Sequence, residues 1–473
     1  MKKIILFSTM IVTGLLLLAS CGTMSKDKEL LDPENPVTIS VWNYYNGSVK
    51  DKFDRLVSEF NDTVGTEKGI VVEAQSYGDV NQLADAVYDS AEKDIGSMPM
   101  PDIFAAYPDG AFRINQVSEL VNLSDYFSKE ELGEINQGFL TEGTFGSDHQ
   151  LKILPIAKST ENIYLNKTYW DEFAAKTGAS VNDLSTWEGL VKTAKNYHDQ
   201  TGKAFFGVDA NANYMLVSAM QLGQELYQYQ GDTATLNLSE DTAYRIWQNY
   251  YVPYINGYFT KTGRFSSDDA KTGLIAAYTG STAGASYFPM AVAEDETSKP
   301  IEVITLPYPI FQGGKQVAIQ QGAGMCITES DEPHEYAASV FLKWFISEPQ
   351  NLQFAVATGY MPVKTEALNT KSILSELDRV NISTPAVKAS IKTTVNMFKN
   401  YSLYGNKPFI GSYKARAVLE TSLLNRVNND LKILNERVQS GEKRQVVIDE
   451  LSSKEHFWDW YQQFTDEMQA AMK

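Results

Sequence analysis

Cysteine is almost absent from this 473-residue chain. There are two, Cys21 and Cys326, and with Cys21 in the N-terminal segment no disulfide framework can form. Stability must therefore come from packed cores. Cys326, inside Gly324-Met325-Cys326-Ile327, reads as a small buried hydrophobe, because no partner motif marks it as a nucleophile. Histidine is scarce too: His149, His198, His334 and His456 lie far apart, with no metal-ligand spacing, so no metal site is expected. Neither a Gly-x-Ser-x-Gly elbow nor a phosphate-binding P-loop occurs. Positive charge is short as well. The 41 Lys and Arg face 59 Asp and Glu, and a formal net charge of −18 argues against nucleic acid as a partner.

What is present begins with a leader. Lys2 and Lys3 precede an apolar run over residues 4–18, which ends in Ala19 and Ser20 before Cys21. A charged start, a short apolar middle and small residues at the cleavage point make residues 1–21 a secretory signal peptide. The run is shorter than the ~20 residues that span a bilayer. Leu18-Ala19-Ser20-Cys21-Gly22 also resembles the bacterial lipobox. That implies a lipid on Cys21 and anchoring at the extracellular face of the cell membrane. Residues 22–36, poor in aromatics and rich in Ser, Lys, Asp, Glu and Pro, read as a flexible tether.

From residue 37, strand and helix patterns alternate. Residues 37–42 form a β-rich run that breaks at Asn43-Tyr44-Tyr45-Asn46-Gly47. Val49, Phe53, Leu56, Val57 and Phe60 then fall on one helical face, with Ser48 as candidate cap. Residues 70–72 and 103–106 read as strands, with an amphipathic helix over 83–91 between them. This order predicts a parallel sheet covered by helices, with ligands beyond the carboxyl ends of the strands. The rule singles out 43–46 and 107–109.

A second α/β series starts near residue 151. It holds a strand over 161–165, helices over 167–176 and 186–197, and a helical, unusually aromatic stretch over 215–258. A loop, Gly280-Ser281-Thr282-Ala283-Gly284, follows, then strands over 301–306 and 323–327 and a helix over 334–346. Beyond about residue 365 the pattern is mainly helical. The length provides for two or more cores.

Residues 337–349 followed by Ala357-Thr358-Gly359-Tyr360-Met361-Pro362-Val363 are close to the helix and Thr-Gly-Tyr-Leu-Pro-Val signature of one family. This is family 1 of the extracellular solute-binding proteins of ABC importers, the group that includes maltose-binding protein. Residues 154–167 are similar to the stretch by which that family's chain passes between lobes. Thr186-Trp187-Glu188 resembles its helix start, and the Gly280 loop resembles one that faces its cleft. The resemblance covers nearly the whole chain after the tether. It implies an α/β, two-lobed fold of the periplasmic-binding-protein type II kind, with a hinge and a helical C-terminal region. Lobe 1 is expected over 37–155 and 306–358, and lobe 2 over 156–305 and 359–473. The function implied is that of a monomer that closes on a small solute, a carbohydrate by family prevalence, and delivers it to membrane permease subunits. No cofactor and no catalysis are implied.

A sugar site needs aromatic faces and a few fixed polar groups. Tyr44, Tyr45 and Tyr107 lie at predicted strand ends and offer such faces, whereas Trp42, inside the strand pattern, reads as core. Asn43 and Asp109 can hold hydroxyls. Asp109 matches a family position where a carboxylate meets sugar, although Pro108-Asp109-Gly110 is also a turn sequence. The resemblance puts Ser159 and Thr160, followed by Glu161, at the crossing where relatives carry an acidic contact. It puts Ser281 and Thr282 in the loop where maltose-binding relatives carry a stacking Trp. These departures argue against maltose-like specificity and move stacking onto Tyr287, Tyr360 or Tyr413. Gly322 permits close backbone approach to a ligand. The Ser, Thr and Gly clusters also suit an anionic solute such as a sugar phosphate. A secreted glycosidase, built on two carboxylates, and a surface adhesin without a cleft are the rival classes.

Overall fold

The computed structural model describes residues 30–146, 149–294, 297–380 and 384–473; the expected signal peptide, Cys21 and the first part of the tether lie outside the described residues. Two four-stranded sheets form the frame. In the first, Val37–Asn43 runs parallel to Ile70–Ser76 on one side and to Ile103–Ala106 on the other. Gly324–Ile327 completes it, antiparallel to Ile103–Ala106. In the second, Glu161–Asn166 lies antiparallel to both Val303–Pro307 and Ala277–Ser281, and Phe206–Val208 joins parallel to the latter. The predicted parallel pattern therefore holds for the first three strands.

Each sheet has its own core. Helix Gly47–Phe60 buries Val49, Phe53, Leu56, Val57 and Phe60 against the first sheet. It starts at Gly47 with Asn46 in the cap position, so Ser48 lies inside it and does not cap it. Trp42 is 4% exposed and belongs to this core, as does Cys326, whose thiol is pushed up by burial. The second core collects Trp187, Trp247 and Trp460 with Tyr214, Tyr250 and Tyr251. Trp187 stands edge-on to Tyr214 at 4.9 Å, a geometry that suits the quadrupoles of both rings. The aromatic stretch 215–258 is thus core, but it is not continuous helix. Helices Asn211–Gln221 and Glu240–Ile255 are separated by a hairpin of Tyr227–Gln230 and Thr233–Leu236. The expected Gly280 loop is likewise a strand, Ala277–Ser281, running into a 3-10 turn, Thr282–Tyr287.

Residues 306–320, expected in the first lobe, pack with the second. Tyr308, Phe311, Ala318 and Ile319 lie in its core, because Val317–Ile319 pairs with Ser402–Tyr404 from the C-terminal half. Tyr360 and Val363, expected in the second lobe, pack in the first core. The C-terminal region is helical, and the 28-residue helix Ser412–Gln439 buries Ala415, Leu419, Leu423, Val427 and Leu434 along one stripe.

The chain passes between the lobes in adjacent segments. Leu154 bridges to Met325, Ser159 to Gln321, and Lys158 to Met361 of the Thr-Gly-Tyr-Met-Pro-Val motif. Gly322 has φ +101°, and a Cβ there would stand 2.3 Å from the carbonyl oxygen of Ala157, so only glycine lets the two segments approach this closely. Lys158 is buried beside it. Its ammonium donates to Glu142 Oε2 at 2.6 Å and to the Gly322 carbonyl at 2.9 Å, while Gln320 donates to the same Glu142 oxygen.

Candidate functional site

The cleft between the two sheets holds a cavity of about 780 Å³. Its first wall follows from the strand ends. Tyr44 and Tyr45 leave Val37–Asn43, and Tyr107 leaves Ile103–Ala106 as the cap of helix Pro108–Asn115. Asp109 therefore sits in the first turn of a helix and not in a β-turn. The opposite wall carries Ser281, Tyr287, Asp209 and Asn213. Helix Ser412–Gln439 adds Tyr413, Arg416, Ala417, Glu420 and Thr421, whose spacing puts them on one face. Ser159, Glu161 and Gln321 from the crossing segments, with Tyr360, complete the lining.

Four of the expected residues do not line the cavity. Asn43 is 1% exposed, and its Oδ1 accepts from the Tyr45 amide at 3.0 Å, so the side chain shapes the loop that presents the tyrosines. Thr160 and Thr282 are fully buried and bond to each other: the Thr282 amide donates to the Thr160 carbonyl at 2.8 Å, and the Thr160 amide donates to Thr282 Oγ1 at 3.4 Å. Gly322 acts through the crossing it permits. Tyr45 touches the cavity but is 3% exposed and packs on Phe53 and Phe354, which leaves little face for a ligand.

The polar groups of the lining that the sequence did not single out include Asp79, Asp209, Asn213, Lys261, Arg264, Gln321, Arg416 and Glu420. Arg416 donates to Asn213 Oδ1 at 3.0 Å and Lys261 to the Asp209 carbonyl. The carboxyl of Glu161 is raised to about 8, by burial first of all and by the nearby Asp209 and Glu420, against the Asn213 hydrogen bond and Arg416. Burial raises Asp209 as well, despite Lys261 and its bond from the Ser266 amide. Among the described residues, no group of three or more His, Cys, Asp or Glu is placed to hold a metal ion.

The two walls touch at the cavity mouth. Tyr287 donates to Asn46 Oδ1 at 2.6 Å, Arg264 pairs with Asp79, and Tyr413 lies 4.8 Å from the Arg113 guanidinium while its hydroxyl reaches Asp85 at 3.4 Å. Asp79 does two jobs, since Oδ1 caps helix Val80–Glu92 through the amides of Asn81 and Gln82. Burial pushes its carboxyl up, but the Gln82 amide and Arg264 hold it below its ordinary value. Arg264 is well exposed, so the pair adds at most about 1 kcal/mol to stability. Its effect is expected on the balance of open and closed forms, since it joins the two walls. Arg264→Ala combined with Tyr287→Phe is expected to leave the melting temperature within a few degrees of wild type and to enlarge the ligand-free radius of gyration in small-angle scattering. An unchanged radius would mean that these contacts do not hold the cleft shut.

The profile of the bacterial extracellular solute-binding protein family matches residues 55–377. No curated protein sequence matches the chain. Among solved structures, it is similar to the cyclic α-maltosyl-1,6-maltose binding protein of Arthrobacter globiformis, at 18% identity and a TM-score of 0.66 over 93% of this chain and 100% of that one. UgpB of Mycobacterium tuberculosis, in complex with glycerophosphocholine, is similar at 17% identity and a TM-score of 0.63, over 85% and 99% of the two chains. An ABC substrate-binding protein of Listeria monocytogenes in complex with cycloalternan has 14% identity and a TM-score of 0.63, over 88% and 97%. These likenesses show the two-lobed fold. With a profile that covers most of its length, a cleft between two α/β lobes and crossing segments at the base, the chain belongs to the bacterial extracellular solute-binding proteins.

Proposed function

We propose that this protein captures a neutral carbohydrate between its lobes and delivers it to the permease subunits of an ABC importer. One observation carries the reading: both lobes bring tyrosines, Tyr44 and Tyr107 on one side and Tyr287 and Tyr413 on the other, to one cavity that also holds acceptors and donors for hydroxyls. The saccharides bound by the Arthrobacter and Listeria proteins support it. The charge of the lining speaks against the sugar-phosphate reading. Even without Glu161, the acids Asp79, Asp109, Asp209 and Glu420 outnumber Lys261, Arg264 and Arg416, so an anion would enter a lining that is acidic on balance. The ligand is bound and released unchanged, by a monomer held through lipid on Cys21 at the extracellular face of the membrane.

A thermal-shift screen over mono- and oligosaccharides, sugar phosphates, polyols, amino acids and peptides tests this. Neutral saccharides are expected to raise the melting temperature by mass action. Tyr107→Ala and Tyr413→Ala should each weaken the binding by about tenfold through the loss of a ring face. A shift produced by an amino acid or peptide, with none from any saccharide, would overturn the carbohydrate reading.

A further inference from the structure

Glu161 stands where the crossing segment reaches the cavity, and it is 2% exposed. Its two oxygens have different surroundings. Oε1 accepts from Asn213 Nδ2 at 2.8 Å and from Gln321 Nε2 at 3.1 Å. Among the described residues, Oε2 receives no hydrogen bond, and no Lys, Arg or His nitrogen comes within 4 Å of either oxygen. Asp209 and Glu420 line the same cavity.

An ionised carboxylate at this position would be buried without an ion pair and beside two like charges, the conditions under which a carboxyl keeps its proton. A neutral carboxyl has one carbonyl oxygen, which only accepts, and one hydroxyl, which donates. Both amide donors converge on Oε1. That makes Oε1 the carbonyl oxygen and leaves the proton on Oε2, the oxygen that no protein group occupies.

We infer that Glu161 is a specificity-determining residue that reads the solute as a hydrogen-bond donor, through Oε2–H, and so selects saccharides that present an oxygen acceptor there. Ring oxygens, glycosidic oxygens and the carbonyl of an acylated amino sugar fit this demand. A sugar hydroxyl that must donate at that point does not, because two donors would meet. The ligand class rests on the carbohydrate reading; the place of the proton does not.

Two measurements on the full chain test the inference. In infrared difference spectra of wild type against Glu161→Gln, a protonated-acid carbonyl band is expected at pH 7 that fades as the pH passes about 8. A Glu161 that is already ionised at pH 7 overturns the inference whatever the ligand. The second measurement uses maltose, mannotriose and ribitol as probes. Glu161→Gln keeps an oxygen for Asn213 and Gln321 and turns an N–H donor to the cavity, so its affinity should stay within about threefold of wild type and not fall at high pH. Glu161→Met, which cannot donate, should lose about tenfold or more. If a probe binds wild type but Glu161→Gln loses as much as Glu161→Met, the group acts as a carboxylate acceptor, and the inference fails while the carbohydrate reading stands. If no probe and no saccharide of the wider screen binds, the carbohydrate reading fails and takes the ligand class with it.

Discussion

Replacement of Lys158 by methionine is expected to destabilise the protein by about 3–5 kcal/mol, the range seen when one partner of a buried ion pair is removed. The side chains of Lys158 and Glu142 are 4% and 6% exposed. Without the ammonium, Glu142 is left buried with Gln320 as its side-chain donor, and the Gly322 carbonyl loses the bond it accepts from Lys158. A second variant separates the pair from the packing. Lys158→Met combined with Glu142→Leu removes both charges together, and it should recover most of the loss because apolar replacement of a buried pair is often close to neutral. Urea midpoints at constant m-value measure both effects. A single-variant loss below about 1 kcal/mol would show that water reaches the pair, and that it does not staple the crossing segments.

Glu161→Gln is expected to become more stable than wild type as the pH rises. The sign follows from linkage. Below the ordinary carboxyl value of 4.5, Glu161 is protonated in both folded and unfolded chains and costs nothing. Between 4.5 and about 8 the unfolded chain releases the proton and the folded one keeps it, so wild-type stability falls with each pH unit. Above about 8 both forms are ionised and the loss is complete. Glutamine does not titrate. The difference between the two proteins should therefore grow across that window to roughly 3–5 kcal/mol in favour of the variant, less whatever the amide loses in hydrogen bonding. Equal slopes of stability against pH would refute the buried neutral acid.

The sequence foretold some of this site better than the rest, and the physical reasons differ residue by residue. Tyr44 and Tyr107 are legible because apolar runs, alternating over residues 37–42 and continuous over 103–106, announce strands, and the chain beyond their carboxyl ends is where α/β sheets place ligands. Asn43 misled for a local reason. The strand runs one residue further than its β-rich core, and the amide turns back to the Tyr45 N–H. Thr160 and Thr282 bond across 122 positions of chain, a pairing that no short pattern announces. Arg416 and Glu420 did leave a trace, since Tyr413, Arg416, Glu420 and Thr421 recur at helical spacing. A polar stripe of that kind is normally a solvated face, and only the docking of helix Ser412–Gln439 against the cleft gives it another meaning. Residues 306–320 pack with the second core, and the strand partner that holds Val317–Ile319 there, Ser402–Tyr404, lies about 85 residues downstream, where no local pattern announces it.

Helix Ser412–Gln439 has a mechanical consequence. At 1.5 Å per residue its 28 residues make a rod about 42 Å long. Its first third carries the ring and charges that line the cavity, and its middle and far parts are packed into the second core through Leu423, Val427 and Leu434. The rod joins the cleft at one end to the second core at the other. Arg416 and Gln439 stand about 35 Å apart on this rod, so a change in its tilt is carried over that length, and a fluorophore at Gln439 is expected to report on events at the cleft.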